Sequence, residues 1–320
     1  MPTPIITDGS MDSVKEAPKV VLPSGLTALF RLRADRFLAL SRKDQGSMGP
    51  YLALMADLCQ AQSHWADKQS PVAVDSVALE HSRLHGMPPM ADLVFNRPSG
   101  WQADLRGLVS HVLEKGSVND AVRASLNHLQ QCTEQSDHGS TKVESLADAV
   151  LAGVDLAAED ARLVPFIGAA LQLHFARLAA SLSAEDLRIS DTPGVCPCCG
   201  SRPTASIIHM DPQRLNSRYL VCSVCLTEWN MERVKCTNCY KEGGVAYLLI
   251  DDSPTASQSA AIRAETCDDC KSYLKIFVEE KDPMLDVIAD DLSSLALDLL
   301  VHERGYARTG PNLLLYPGDQ

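Results

Sequence analysis

The chain has 320 residues, with 41 acidic against 29 basic side chains and a formal charge of −12 at pH 7. That balance argues against a nucleic-acid binder, because neutralising phosphates takes a clustered excess of Lys and Arg. No apolar run reaches the length of a membrane span, and the length exceeds what one core usually fills, so more than one domain is expected.

Residues 1–20 lack hydrophobic periodicity and carry Pro, Gly, Ser and Asp, so they read as a disordered arm. Met1–Asp8 has neither a basic nor an apolar leader segment, which predicts a cytoplasmic protein without a secretory signal or membrane insertion. Residues 21–189 read as a helical domain. Ser24 is placed as an N-cap, Leu22 staples the entry, and Leu26, Leu29, Phe30, Arg33, Phe37 and Leu40 follow at helical spacing. A second helix is expected from about Tyr51 to Trp65, with Leu54, Met55, Leu58 and Ala61 on its apolar face. Cys59 beside that face reads as a small buried hydrophobe.

The segment 67–100 contains Pro71, Pro88, Pro89 and Pro98 and is expected to wander over the surface as a recognition element, with at most a short helix near 76–84. Amphipathic helices follow around Trp101–Val112, Val122–Leu129 and 143–152, with a polar loop at 134–142. Pro165 predicts a break near Leu163 and then a long buried helix through Leu178. His64, His111, His128 and His174 are scattered singly. His81 and His85 have i, i+4 spacing but lack the Glu of a metalloprotease motif, so all six read as surface or satisfied core histidines. Neither a nucleophile elbow nor a Gly-rich phosphate loop nor paired catalytic carboxylates are evident, and this half reads as a non-enzymatic scaffold.

After a hinge at Ser190–Gly194 come four C-x-x-C pairs, Cys196/Cys199, Cys222/Cys225, Cys236/Cys239 and Cys267/Cys270. Each such turn lets two thiolates converge on one metal ion, and two turns complete a four-sulfur site, so four turns predict two ions. Sequential pairing closes the shorter loops: Cys196, Cys199, Cys222 and Cys225 form the first site, and Cys236, Cys239, Cys267 and Cys270 the second. Paired spacing in a long chain favours metal thiolates over a disulfide framework. The shell has no open position for water or substrate, which points to a structural or one-electron role, and soft sulfur selects iron or zinc.

Alternating segments between the knuckles give each half the layout knuckle, β-hairpin, knuckle, that of a rubredoxin-like ribbon, over 190–234 and 235–281. Cys198 reads as a spare thiol inside the first knuckle, and His209 is not needed as a ligand. Glu228, Trp229 and Arg233, between the halves, are candidates for a partner contact, although packing against the hairpins explains Trp229 as well. From 282 to 320 a C-terminal helix and tail are expected, with Leu292, Leu295, Ala296, Leu299 and Leu300 on the apolar face and Gly305 at the end. The expected class is α+β: an N-terminal all-α domain, two tandem four-cysteine modules and a C-terminal helix.

This order of features resembles the formate dehydrogenase accessory proteins of the FdhE family. The likeness is carried by Arg33–Phe37, Ala170-Leu-Gln172, Cys196–Pro203, Tyr219–Cys225, Glu228-Trp229, Arg233–Cys239, Ala264–Cys270, Tyr273-Leu-Lys275, Ala289–Asp298 and Gly310-Pro-Asn312. It runs from about residue 25 to the C-terminus, and Cys198 and the loop at 134–142 depart from it. The resemblance implies a non-enzymatic maturation factor for respiratory, molybdenum-containing formate dehydrogenase. It would contact the catalytic subunit in the cytoplasm, with iron favoured over zinc in both sites. A rubredoxin-type electron carrier is the alternative.

Overall fold

The apolar stripes of the first half fold as helices that bury them against one another. A computed structural model describes residues 17–44, 46–68, 73–116, 118–134, 138–154, 156–188, 192–250 and 260–315. Its helices α2 (Gly49–Trp65), α5 (Gly100–Lys115) and α7 (His138–Ala152) pack against α9 (Val164–Ala180), with α1 (Leu26–Lys43) on α2 and α6 (Asp120–Glu134) on α5 and α7. Pro165 sits in the first turn of α9, where its missing N–H costs nothing, and every residue from Pro165 to Ala179 is buried. Short helices α3 (Ser76–His85), α4 (Ala91–Phe95) and α8 (Ala158–Ala161) complete this half.

Ser24 does not cap α1: the helix is entered from Gly25, whose φ of 57° is a left-handed conformation with no side-chain cap. Of the expected arm, residues 1–16 lie outside the described residues. Its final residues are built into the protein, since β1 (Val20–Val21) pairs antiparallel with β4 (Glu228–Asn230) and the Tyr219 hydroxyl donates to the Pro18 carbonyl at 2.6 Å.

The second half is one continuous sheet. The first hairpin, β2 (Pro203–Ile208) and β3 (Arg218–Cys222), carries β4 and then β1 on one side. The second, β5 (Val245–Leu248) and β6 (Ile262–Cys267), continues into β7 (Ser272–Val278), and β7 pairs parallel with β2 through Ser206↔Ile276, Ile207↔Phe277 and Ile208↔Val278. The two knuckle pairs therefore share a backbone hydrogen-bond ladder. Across the seam, the fully buried Arg218 donates from Nη2 to Glu265 Oε1 at 2.6 Å and from Nη1 to the Glu232 and Lys235 carbonyls. Helices α10 (Val287–Ser293) and α11 (Leu295–Glu303) and strand β8 (Ala307–Arg308), which pairs parallel with β7, close the chain. The whole is mixed α+β, helical first and sheet-containing second.

The C-terminal apolar stripe is only partly the buried face: Leu292 is fully buried and Leu295 half-buried, but Ala296 is exposed. The expected single helix breaks at Ser294, where Lys275 Nζ, itself fully buried, takes the carbonyls of Asp291 and Ser294. The break resets the phase, so Leu297 and Val301 pack on Ala264 and Tyr273, while Leu299 is 67% exposed and Leu300 is also exposed.

Candidate metal centres

Each knuckle is a tight turn that aims backbone N–H groups at sulfur. The amide of Cys198 lies 3.4 Å from Cys196 Sγ, those of Val224 and Cys225 3.4 Å from Cys222 Sγ, and that of Asn238 3.4 Å from Cys236 Sγ. After the second cysteine of every knuckle the chain turns through positive φ: Gly200 at 77°, Leu226 at 61°, Tyr240 at 63° and Lys271 at 52°. Only the first of these is glycine. The other three hold a left-handed conformation that costs an ordinary residue roughly 1–2 kcal/mol, so the knuckle geometry overrides local preference. This fourfold backbone repeat is the part of the internal symmetry that residue identities hide.

The turns bring together the predicted ligand sets. Cys196, Cys199, Cys222 and Cys225 form one cluster and Cys236, Cys239, Cys267 and Cys270 the other, with all sulfurs of a cluster within 4.8 Å of one another. The facing sulfurs are 3.5 Å (Cys196–Cys225), 3.4 Å (Cys199–Cys222), 3.6 Å (Cys236–Cys270) and 3.7 Å (Cys239–Cys267) apart. A metal–sulfur bond of ~2.3 Å in a tetrahedron puts its sulfurs about 3.8 Å apart, so the donor set fits a single soft cation. None of the eleven cysteines is paired in a disulfide. Burial and crowding push Cys196 and Cys222 well above the ordinary thiol range, and burial takes Cys267 up to about 12. Burial would also raise Cys225, but hydrogen bonds from the neighbouring thiols outweigh it and hold Cys225 well below that range, so crowding favours one thiolate over its neighbours and full ionisation of the set calls for a cation among them.

Cys198 is buried; its Sγ lies 3.3 Å from Met90 Sδ, and the Met90 amide donates to the Cys198 carbonyl at 2.9 Å. The segment expected to wander over the surface thus reaches the first knuckle, with Met90 fully buried against it. Cys59 is fully buried, and burial raises its thiol to about 12. His209 is remote from the sulfurs in its bonding. It bridges Glu228 at 2.8 Å and Glu279 at 3.0 Å, tying the end of β2 to β4 and to the end of β7. Burial lowers its pKa, but the two carboxylates outweigh this and raise it to about 9. Trp229 is fully buried and donates to the Pro193 carbonyl at 2.7 Å, so it is a packing residue rather than a surface contact. Glu228 is engaged with His209 and Arg214, and among the three only Arg233 is exposed. Among the described residues no histidine joins a metal-ligating cluster.

Sequence reading did not assign the polar groups that hold the cysteine sheet to the helices. Arg33 on α1 donates to both oxygens of Asp286 at 3.1 Å and to Gln172 Oε1 at 2.9 Å. Gln172 on α9 passes the link on from Nε2 to the Ser223 carbonyl, inside the second knuckle, at 3.0 Å. Asp291, fully buried, accepts from Arg308 and Asn312 and faces Lys275 at 3.2 Å. Burial would raise its pKa, but these cations and the Asn312 amide hold it below the usual carboxylate value. The only available signal was charged or amide residues standing inside otherwise apolar stripes, as Arg33 and Gln172 do.

The FdhE family models match almost the whole chain. The N-terminal model covers residues 17–191, the central domain 195–233 and the C-terminal domain 234–315. The chain is 38% identical over 294 residues to a protein FdhE homolog from Pseudomonas aeruginosa, spanning 91% of each chain. It is 34% identical over 304 residues to protein FdhE from Escherichia coli K12, spanning 94% of this chain and 92% of the relative. The crystal structure of the FdhE protein from Pseudomonas aeruginosa superposes with a TM-score of 0.79 at 37% identity, covering 94% of this chain and all of that one.

Proposed function

This chain belongs to the FdhE family, and from that premise we propose that it is an accessory factor for respiratory, molybdenum-containing formate dehydrogenase. In this reading it binds the enzyme's catalytic subunit in the cytoplasm and performs no catalysis of its own. The observation that carries the reading is the pair of closed four-cysteine clusters on one sheet that is bolted to a helical body. A complete thiolate shell offers a substrate no coordination position. Cys196, Cys199, Cys222 and Cys225 would hold one ion, and Cys236, Cys239, Cys267 and Cys270 the other, with iron favoured. A bound ion supplies cross-linking of its two knuckles and, if it is iron, a one-electron couple. The protein's own part is to fix the knuckles, through Gln172 on Ser223 and Arg218 on Glu265, so that both present constant surfaces to a partner.

A rubredoxin-type electron carrier is the second reading, favoured by the partial exposure of Cys239 and Cys270. Anaerobic purification with metal analysis, a visible spectrum and co-purification of tagged catalytic subunit separates the two. About two irons per chain and stable capture of the subunit support the accessory role. Reversible iron cycling without capture supports the carrier. Loss of formate dehydrogenase activity in a deletion strain, restored by the wild-type chain but not by C196S/C199S, is expected for an accessory factor.

A further inference from the structure

We infer that the two four-cysteine centres are unequal in access: metal is exchanged with solvent donors at the second, while the first is locked once the protein has folded. This rests on the reading that each cluster holds a metal ion. The thiols of the first centre are sealed, with Cys196, Cys222 and Cys225 at 0% and Cys199 at 2% exposure. The residues inside its turns, Pro197, Cys198, Ser223 and Val224, are buried as well. Met90 closes one knuckle through its amide and its thioether, and Pro88 and Ala91 stand over Gly200. Gln172, fully buried in α9, holds the other knuckle by the Ser223 carbonyl. A ligand can reach these sulfurs only if the helical body lifts off, an opening drawn from the high-stability end of the protein's fluctuations.

The second centre lies beside the first, with Arg202 donating to Asn238 at 3.1 Å and Gly194 packed on the Thr237 carbonyl, but among the described residues no helix covers its outer turn at Cys267–Cys270. Cys236 and Cys267 are buried, but Cys239 and Cys270 are part-exposed, and the residues inside the last turn, Asp268 and Asp269, are exposed. The charged side chains around it, Lys241 with Asp269 and Lys271 with Asp268, form exposed ion pairs that bind one another weakly and do not make a lid. A soft donor from solvent, a thiol or a chelating nitrogen ligand, can approach the Cys239 and Cys270 edge directly. Exchange there replaces the sulfurs one at a time, and solvent protonates each released thiolate while the oxidation state of the metal stays constant.

The test uses the full chain loaded with two zinc ions and challenged with excess chromogenic chelator. The expected result is release in two phases of one ion each, the slow one at least tenfold slower. Alkylation with iodoacetamide at the end of the fast phase, followed by peptide mapping, should label Cys236, Cys239, Cys267 and Cys270 and spare Cys196, Cys199, Cys222 and Cys225. M90A should speed the slow phase severalfold and leave the fast phase alone; an unchanged slow phase would overturn the covering role of Met90. A single phase, or labelling of the first cluster before the second, overturns the inference while leaving the metal reading intact. A chain that binds no zinc or iron overturns both.

Discussion

The ion pair across the seam of the sheet is the sharpest test of whether the two knuckle pairs act as one body. In E265L the Arg218 guanidinium, 1% exposed, keeps only the Glu232 and Lys235 carbonyls at 3.2 and 3.0 Å. An uncompensated buried charge of this kind costs about 3–5 kcal/mol. R218M strands the carboxyl instead, but burial, opposed by Arg218, already holds Glu265 above the usual carboxylate range. With the arginine gone that carboxyl can take a proton, which a guanidinium cannot lose, so R218M should cost only the lost hydrogen bonds, about 1–3 kcal/mol. The sign follows from linkage: the folded state of R218M binds the proton more tightly than the unfolded chain, so its deficit shrinks as pH falls. The double variant R218M/E265L should recover about 2 kcal/mol or more relative to E265L. Urea unfolding at saturating metal, followed by tryptophan fluorescence, measures all three, with metal held constant because binding shifts apparent stability. An E265L variant within about 1 kcal/mol of wild type, or equal costs for E265L and R218M between about pH 5 and 8, would refute the reasoning.

Three further outcomes are expected. His209 carries a pKa of about 9 between Glu228 and Glu279, with Arg214 opposing, so its contribution is complete below its unfolded value near 6.5 and is lost as pH rises through 9. H209Q should remove a pH-dependent stabilisation on the order of 3 kcal/mol, seen as a flatter melting-temperature profile over that window; an unaltered profile would contradict the assignment. L297A should cost about 2–5 kcal/mol and L299A less than about 0.5, because the helix break puts the first inside and the second outside; thermal melts with the opposite order would restore the unbroken stripe. A Cβ at Gly310 would overlap the Pro203 carbonyl oxygen at the start of β2, so G310A should lose at least about 1–3 kcal/mol in chemical denaturation, whereas full stability would mean that the tail packs elsewhere.

Much of the site was legible because its chemistry is local in sequence. A C-x-x-C turn specifies its own backbone, and the four turns at 196, 222, 236 and 267 named their eight sulfurs and their grouping without any tertiary information. The hairpins between them and the Pro165 start of α9 were likewise written in period-two alternation and in proline chemistry. The C-terminal helix was misread for a physical reason. A stripe at i, i+3, i+4 assumes an unbroken helix, and the break at Ser294 depends on Lys275, a side chain distant in sequence whose buried charge takes the local carbonyls. The segment around Met90 was misread because proline content signals irregular backbone, not exposure, and irregular backbone can be buried where its amides find acceptors such as the Cys198 carbonyl.

The sequence alone determined the eight-cysteine set, the helical-then-sheet order and the acidic surface charge, since each depends on residue type and short-range spacing. Only the tertiary structure decided that β2 and β7 join the two hairpins into one sheet and that Arg33, Gln172, Arg218, Lys275 and Asp291 serve as bolts. It alone also decided that one thiolate cluster is enclosed while the other meets solvent. Strand order, pairing of buried charges and access to a site are set by which distant surfaces meet, and no local pattern encodes that meeting.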